Sequence, residues 1–446
     1  KDFAKDIRNQ FVYVAKMFNE EMHVLAPRSI ANVRDLDGKT VVVDLPDSST
    51  FVTAINVFER LGIRPHLICA SSHSIHMADE LSPVFETISW LPYDSMRDCA
   101  GTPYLGTRMS SWNNWDERWN AIGLLSQFDA IVNCHSPGFH AIAGDLRKLG
   151  VTCIDYQHVL EYSPMGMPQG HPILSLAYNY VYDYLFTCSS SLADWFRSQG
   201  VPSEKLCTLI NGPGITIDYE AAKAVVAKRV ERLGSRPAGA ENTLNVLFLG
   251  RLDYQKGIDR LQSLVEATSA SSRIKWRIIG KPVMKDHDAQ SGLKGVEPPL
   301  YKPEDIIRAL TWADVLVVPS RFEGLPLTIV EAMTFGAAVL STNVGAIGEV
   351  VESGRNGFLI EQRDYVDTVT EMLVRFADHP EQLADIALAA HETGLKLRWE
   401  ARVEPVAAAI KSAVSRRSGV SKSTNLQPHG PGAVRSLQAA SEWHSS

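Results

Sequence analysis

Short runs of apolar, often β-branched residues alternate with longer amphipathic stretches along most of the chain. This alternation is typical of strand–helix–strand units that build a parallel sheet. The predicted strands of the first half are residues 40–45, 66–69, 85–90, 130–134, 152–155, 184–188 and 206–210. The pattern restarts after a turn-rich stretch, with predicted strands at 245–250, 275–279, 314–319, 338–342 and 357–360. We therefore expect an α/β fold with two successive Rossmann-like sheets.

The length of the chain also predicts two domains, because 446 residues exceed one comfortable hydrophobic core. We predict an N-terminal Rossmann-like domain over residues 1–215 and a C-terminal one over 216–395. A further helix at 396–416 is expected to return to the N-terminal domain. The tail at 417–446 is rich in Ser, Gly and Pro, which predicts disorder.

The composition favours an ordinary soluble protein. Charged residues make up 21% of the chain, the net charge is -7, and no basic stripe indicates nucleic-acid binding. No apolar run approaches the roughly 20 residues of a membrane helix, and the first residues lack the pattern of a signal peptide. The six cysteines lack Cys-x-x-Cys spacing and mostly lie in apolar runs, which favours buried thiols over a metal site. We expect a cytoplasmic protein without a metal or a cofactor.

The segment from Pro319 to Met333 carries the strongest chemical pattern. A predicted buried strand ends there, and ligands of open α/β sheets bind beyond the carboxyl ends of strands, which places Glu323 in the crevice. Pro326 is expected to begin a helix whose N–H groups, from about residue 325 to 328, would form an anion site. Glu331 lies about one and a half turns into that helix and could reach a sugar hydroxyl. The alternatives are that Glu323 caps the helix and that Glu331 lies on a solvated face.

A second motif surrounds the end of the predicted strand at 245–250. Gly250 ends the strand, Arg251 follows it, and Lys256 precedes the next helix after Gly257. Two cations at this position suit a diphosphate, because Arg donates forked hydrogen bonds and Lys supplies a compact charge. Read alone, both side chains could equally be solvated.

Together these motifs resemble the retaining glycosyltransferases of family 4. The resemblance rests on the Gly-Arg…Lys-Gly element, on the Glu323-x7-Glu331 element and on the run from Gly336 to Gly357. It covers residues 245–360 well and is looser over 129–212, where Asn211-Gly212 resembles a strand end of the family. Residues 1–128 match poorly. The resemblance implies a GT-B fold, in which two Rossmann-like domains face a central cleft.

The resemblance also implies a role for each matching residue. The donor-binding set would be Arg251, Lys256, Gly250, Gly324, Leu325 and Glu331. Arg251 and Lys256 would hold the diphosphate of the donor, and the backbone of Gly324 and its neighbour would touch the phosphates. Glu331 would bind the ribose hydroxyls, and Glu323 would act catalytically, in contact with the transferred sugar.

The first domain offers candidates for contact with the sugar or the acceptor. His158 resembles a histidine that the family carries on the cleft loop, and we expect a catalytic role for it; a structural histidine is the alternative. His135 is a weaker candidate at another strand end. Ser48 and Ser49 stand where the family has a glycine pair and could donate hydrogen bonds to the acceptor. Three tryptophans at helical spacing favour core packing over acceptor contact: Trp112, Trp115 and Trp119.

The resemblance therefore implies a metal-independent hexosyl- or glycosyltransferase of class EC 2.4. It would move a sugar from a nucleotide sugar to an unidentified acceptor, which could be a glycan, as in polysaccharide biosynthesis, or a lipid-linked or small molecule. A lipid-linked acceptor would imply peripheral membrane contact. The alternatives are a nucleotide-sugar epimerase of the same fold and a non-catalytic nucleotide-sugar-binding subunit.

Overall fold

The structure is a computed structural model. It describes four short strands before residue 109 and then residues 112, 114–126, 128, 130–133, 136–162, 165–235, 243–281, 293–399 and 402. The predicted strand at 40–45, Ser48, Ser49, His135 and the tail at 417–446 lie outside the described residues, as does most of the predicted helix at 396–416. The chain divides into two compact units between Ile210 and Asn211, and the second unit extends to Ala401.

The N-terminal unit contains a four-stranded parallel sheet in the order β10-β9-β6-β5. Its described strands are β1 (His66–Cys69), β2 (Thr87–Trp90), β3 (Pro103–Tyr104), β4 (Thr107–Arg108), β5 (Ala130–Asn133), β6 (Thr152–Gln157), β7 (Glu161–Tyr162), β8 (Pro168–Gln169), β9 (Tyr184–Thr187) and β10 (Leu206–Thr208). Its described helices are α1 (Trp115–Leu125), α2 (Pro137–Lys148), α3 (His171–Ala177) and α4 (Ser190–Ser198). Every residue of β5 and β6 is buried, as expected of parallel strands covered on both faces.

The tryptophans of α1 differ from the sequence-based interpretation. Trp115 is 65% exposed and Trp119 is 49% exposed, so the prediction that they pack in the core is wrong for both. The guanidinium of Arg118 lies 5.3 Å from the ring centroid of each, which accounts for part of their contacts. Trp112 is half-buried, and its indole Nε1 donates to the carbonyl of Gly138 at 2.9 Å.

The C-terminal unit is built on a six-stranded parallel sheet in the order β13-β12-β11-β14-β15-β16. The strands are β11 (Leu244–Leu249), β12 (Ile274–Ile279), β13 (Val296–Glu297), β14 (Val315–Val318), β15 (Ala338–Thr342) and β16 (Gly357–Ile360). The helices are α5 (Tyr219–Gly234), α6 (Ile258–Thr268), α7 (Pro303–Trp312), α8 (Leu327–Thr334), α9 (Tyr365–Asp378) and α10 (Ala384–Lys396). No described helix is both long and apolar enough to span a membrane.

The strand order of this sheet creates a place for a ligand. The chain runs outward from β11 to β12 and β13, then returns to β14 on the other side of β11 and continues outward to β15 and β16. Ligands of open α/β sheets bind where the strand order reverses in this way, beyond the carboxyl ends of the two central strands. The loop after β11 holds residues 250–257, and the loop after β14 holds residues 319–326. The topology therefore brings both sequence motifs to one edge of the sheet.

The two loops touch at Gly257. Its φ of 72° is left-handed, and a Cβ atom built there would lie 2.1 Å from the carbonyl oxygen of Pro319. Only glycine has neither a strained backbone at this φ nor a side chain that would meet the neighbouring loop. Gly257 also precedes α6, so the close approach fixes where that helix begins.

We predict that Gly257→Ala lowers the free energy of unfolding by about 2–4 kcal/mol, because it adds left-handed strain to a clash with backbone. Urea titration measures the change. The matched control is Gly234→Ala at the end of α5, where a built Cβ meets nothing within 4 Å and no left-handed φ is recorded. Equal stability of the Gly257 variant and the wild type would contradict the close approach.

Candidate functional site

The centre of the crevice is an ion pair between the two loops. Lys256 Nζ donates to Glu323 Oε1 at 2.8 Å and to Oε2 at 3.0 Å, and Ser320 Oγ donates to Glu323 Oε1 at 2.6 Å. Glu323 is 3% exposed, and the side chain of Lys256 is 12% exposed. Charges at this depth in a protein are tolerated only when they are paired and hydrogen-bonded. The structure thus brings two residues of the separate motifs into direct contact.

Arg251 lies on the same loop with part of its guanidinium unused. Nη2 donates to Gln255 Oε1 at 2.5 Å, and Nε lies 3.1 Å from Asp253 Oδ2 at an angle that makes no hydrogen bond. Nη1 is buried and has no hydrogen-bond partner among the described residues. Gln255 Nε2 in turn donates to the carbonyl of Phe322 at 3.2 Å, so this side chain links the Arg251 loop to the Glu323 loop. Arg251 therefore has a fixed orientation and a donor available for an anion.

The loop after β14 ends at the N-terminus of α8. Pro326 is the cap residue and has no N–H, and no side chain caps this helix. In the described part of the chain, the backbone N–H groups of Leu325, Leu327 and Thr328 donate no hydrogen bond. Unbonded amides and the helix dipole together favour an anion at such an end. Because no side chain caps α8, Glu323 does not serve as its cap.

Glu331 points from α8 into the protein. It is 4% exposed, and its Oε1 accepts a hydrogen bond from the backbone N–H of Gly214 at 2.7 Å. The interpretation as a solvated face is therefore wrong. Burial raises the pKa of Glu331 to about 7, and the bond from Gly214 opposes this shift in part. A carboxyl group that is half protonated near neutral pH can accept a hydrogen bond from a hydroxyl group or donate one to it.

Hydrogen bonds to main-chain carbonyls hold the turn of residues 324–325 in place. Asn211 Nδ2 donates to the carbonyl of Leu325 at 3.1 Å, and the N–H of Ala346, after β15, donates to the carbonyl of Gly324 at 2.9 Å. The N–H of Gly250 donates to the carbonyl of Ile279 at 3.1 Å, which ties the start of the Arg251 loop to the end of β12. The predicted donor-binding positions at the start of these two loops thus lie on hydrogen-bonded turns of a single unit.

The N-terminal unit holds the predicted histidine at the end of β6. His158 is 4% exposed, its ring centroid lies 4.1 Å from that of Tyr156, and its carbonyl accepts from Cys188 Sγ at 2.8 Å. Nearby in β6, Asp155 accepts from Asn133 Nδ2 at 2.8 Å. Burial raises the pKa of Asp155 to about 7. The role of His158 stays a prediction.

Sequence reasoning missed several supporting residues. Gln255 lies between Arg251 and Lys256, and Ser320 lies in the segment from Pro319 to Met333, but neither side chain carries a charge that would mark it. Asn211 and Gly214 lie in the turn-rich stretch after which the strand pattern restarts, and no local pattern assigned them a contact. Only the fold shows that this stretch contacts α8 and the segment before it.

We predict that Glu331 contributes a fall in the free energy of unfolding as pH rises from about 5 to 8, while the lowered pKa of buried His140 acts in the opposite direction below about pH 6.5. The pKa of this carboxyl is raised in the folded state, so the associated stability is present below the unfolded value of 4.5 and is lost as pH rises through about 7. At about 1.4 kcal/mol per pKa unit, the loss is of the order of 3 kcal/mol. Urea titrations of Glu331→Gln should give a shallower pH dependence than the wild type.

Asp155 has a raised pKa as well, so some decline with pH should remain in that variant. Glu371→Gln, at an exposed position of α9, is the control and should follow the wild-type curve. Parallel curves for Glu331→Gln and the wild type would show that folding does not raise the pKa of Glu331.

Comparison with known proteins identifies the part of the chain that carries this site. Residues 243–379 match the model of the family described as Glycosyl transferases group 1. The D-inositol 3-phosphate glycosyltransferase of Thermobispora bispora is 29% identical over 238 residues, which are 48% of this chain and 52% of the relative. A glycogen synthase of Pseudomonas syringae is 30% identical over 169 residues, 36% of this chain and 34% of the relative. The chain spans about half or less of the length of the curated relatives it matches.

The fold extends further than the sequence match. The crystal structure of Anabaena Alr3699/HepE in complex with UDP is similar with a TM-score of 0.59, at 16% identity, over 82% of this chain and 95% of that chain. This similarity confirms the predicted α/β fold of the GT-B class. The family match includes both cationic residues and both glutamates of the motifs. Residues 243–379, which carry the site, are therefore similar to the group 1 glycosyltransferases.

Proposed function

We propose that this protein is a retaining glycosyltransferase that uses a nucleoside diphosphate sugar as its donor. The observation that carries the proposal is the arrangement at the carboxyl ends of β11 and β14. Arg251 offers an unused guanidinium N–H, Lys256 offers an ammonium group, and the N-terminus of α8 offers unbonded amides, all in one unit. A diphosphate matches this set in charge and in hydrogen-bond acceptors.

The same groups would assist the chemical step. The bond between the sugar carbon and the diphosphate breaks with oxocarbenium character, and negative charge grows on the departing phosphate oxygen. Preorganised donors lower the energy of such a transition state more than that of the ground state. Arg251 and Lys256 would therefore stabilise the leaving nucleotide. A phosphate oxygen of the donor would accept the proton of the attacking hydroxyl, which keeps the step balanced without a second carboxylate.

The two glutamates would divide the remaining work. Glu323 is held by Lys256 and Ser320, so its carboxylate is rigid enough to orient the transferred sugar. Glu331 lies deeper in the unit, near Gly214, and would bind the ribose hydroxyls. His158, in the N-terminal unit, would contact the sugar or the acceptor.

The relatives support the donor class better than the acceptor. The Anabaena protein was crystallised with UDP and also with UDP-glucose, which supports a nucleotide sugar here. The curated relatives are named for D-inositol 3-phosphate and for glycogen, which are chemically unlike acceptors. We propose an acceptor with a free hydroxyl group, of the glycan, lipid-linked or small-molecule class.

A donor-hydrolysis screen tests the function. The full chain is incubated with uridine, guanosine and adenosine diphosphate sugars, and release of the free nucleotide is measured with and without candidate acceptors. Retention is read from the anomeric configuration of the product by NMR. Interconversion of sugars on an intact donor would instead identify an epimerase, and binding without turnover would identify a non-catalytic subunit.

We predict that Arg251→Ala lowers kcat/KM by about 100- to 1000-fold, because loss of one preorganised donor to a developing anion has effects of this size. Arg251→Lys keeps the charge but loses the forked geometry, so its activity should lie between that of the wild type and that of Arg251→Ala. The control is Arg363→Ala, since this side chain is 84% exposed and pairs with the neighbouring Asp364. Near-normal activity of Arg251→Ala would contradict the diphosphate role.

A further inference from the structure

The segment from Asn211 to Gly214 precedes α5 and makes close contacts with the donor-binding elements of its own unit. Asn211 Nδ2 donates to the carbonyl of Leu325, and the Gly214 N–H donates to Glu331. Trp399 Nε1 donates to the carbonyl of Pro213 at 2.8 Å and so holds the middle of the segment. The segment therefore contacts both the turn of residues 324–325 and the helix α8 that carries Glu331.

Asn211 uses only one of the two polar atoms of its side-chain amide in these contacts. The residue is 4% exposed, and its Oδ1 is buried without a hydrogen-bond partner in the described part of the chain. A buried carbonyl oxygen that stays unsatisfied costs about 1–3 kcal/mol. Such an atom beside a ligand site is therefore expected to accept a hydrogen bond from the ligand.

The chemistry of the surroundings limits which ligand group can meet this atom. Phosphate oxygens carry no proton to donate at neutral pH, so the diphosphate cannot satisfy Oδ1. A nucleotide sugar has hydroxyl groups on either side of its diphosphate, on the ribose and on the transferred sugar. Asn211 Nδ2 bonds the carbonyl of Leu325, just before the N-terminus of α8. If the diphosphate binds at that N-terminus, the hydroxyl groups on either side of it would lie near Asn211.

We propose that Asn211 Oδ1 accepts a hydrogen bond from a hydroxyl group of the nucleotide-sugar donor. The side-chain amide would then have two functions. Nδ2 fixes the turn of residues 324–325 through the carbonyl of Leu325, and Oδ1 accepts a hydrogen bond from the ligand. A neutral amide suits this position, since a carboxylate could not donate to Leu325 and would repel the phosphates. The inference rests on the proposed donor and assigns a further donor-binding residue.

The experiment compares nucleotides that lack single hydroxyl groups. Isothermal titration measures the Kd of the wild type and of Asn211→Ala for UDP, 2′-deoxy-UDP and 3′-deoxy-UDP, and for UDP-glucose and its monodeoxy-glucose forms. GDP and ADP series replace the UDP series if the wild type prefers those bases. In the wild type, removal of one particular hydroxyl should weaken binding about tenfold, which is about 1.4 kcal/mol.

In Asn211→Ala the same removal should change Kd less than threefold, since the double-mutant comparison isolates the contact between the two groups. If the hydroxyl group whose effect is lost in Asn211→Ala is on the ribose, Oδ1 contacts the nucleotide. If that hydroxyl group is on the hexose, Oδ1 contacts the transferred sugar. Asn245→Ala is the control, because Asn245 Nδ2 also donates to a main-chain carbonyl, that of Trp312, but at the amino end of β11. It should retain the discrimination of the wild type.

Two results would overturn the inference. If Asn211→Ala weakens all these ligands by the same factor, the residue only fixes the turn. If it changes none of the Kd values, Oδ1 meets no ligand. Absence of any nucleotide binding to the folded wild type would instead reject the proposed function itself, and thermal melting of each variant shows whether it is folded.

Discussion

The ion pair between Lys256 and Glu323 joins the two loops on which the site depends. It connects the end of β11 to the end of β14, in a place where both partners are nearly removed from solvent. A buried ion pair of this kind often stabilises a protein no more than well-packed apolar residues would, because desolvation opposes the attraction. The proposed donor binding offers a better explanation of its presence, since the pair would hold a cation and a carboxylate at the carboxyl ends of the two strands.

The supporting contacts extend outward from this pair. Ser320 fixes the carboxylate from one side, and Gln255 fixes both Arg251 and the carbonyl of Phe322 from the other. Gly257 permits the two loops to approach within backbone contact. The charged groups thus depend on small or neutral residues for their geometry, which is the usual division between groups that bind a ligand and groups that position them.

Local sequence signals predicted much of this unit correctly. The strands β15 and β16 have the predicted bounds, and α8 begins directly after Pro326, because β-branched runs and a proline at a helix start are features of a few adjacent residues. The six-stranded order places both motifs at the same edge, as the position of Arg251 after one strand and Glu323 after another suggested. The edge strand β13 and the helix α7 were not predicted. For β13 the reason is that its two residues carry no periodic pattern.

Contacts between distant parts of the chain could not be predicted. Gly214 and Glu331 are 117 positions apart, and no local pattern reveals that a glycine amide orients this carboxylate. The same is true of Asn211 and Leu325, which are 114 positions apart. The exposure of Trp115 and Trp119 shows the opposite failure, because helical spacing alone does not tell a buried stripe from an exposed one.

The proposed function requires that cationic side chains and the N-terminus of α8 bind the second phosphate of a nucleotide in the C-terminal unit. The most direct measurement is a calorimetric comparison of nucleoside diphosphates with the corresponding monophosphates, at low and at high salt. We expect one diphosphate to bind at least about tenfold more tightly than its monophosphate, with a difference that shrinks as salt screens the charges. Equal affinity for mono- and diphosphates at low salt would contradict it.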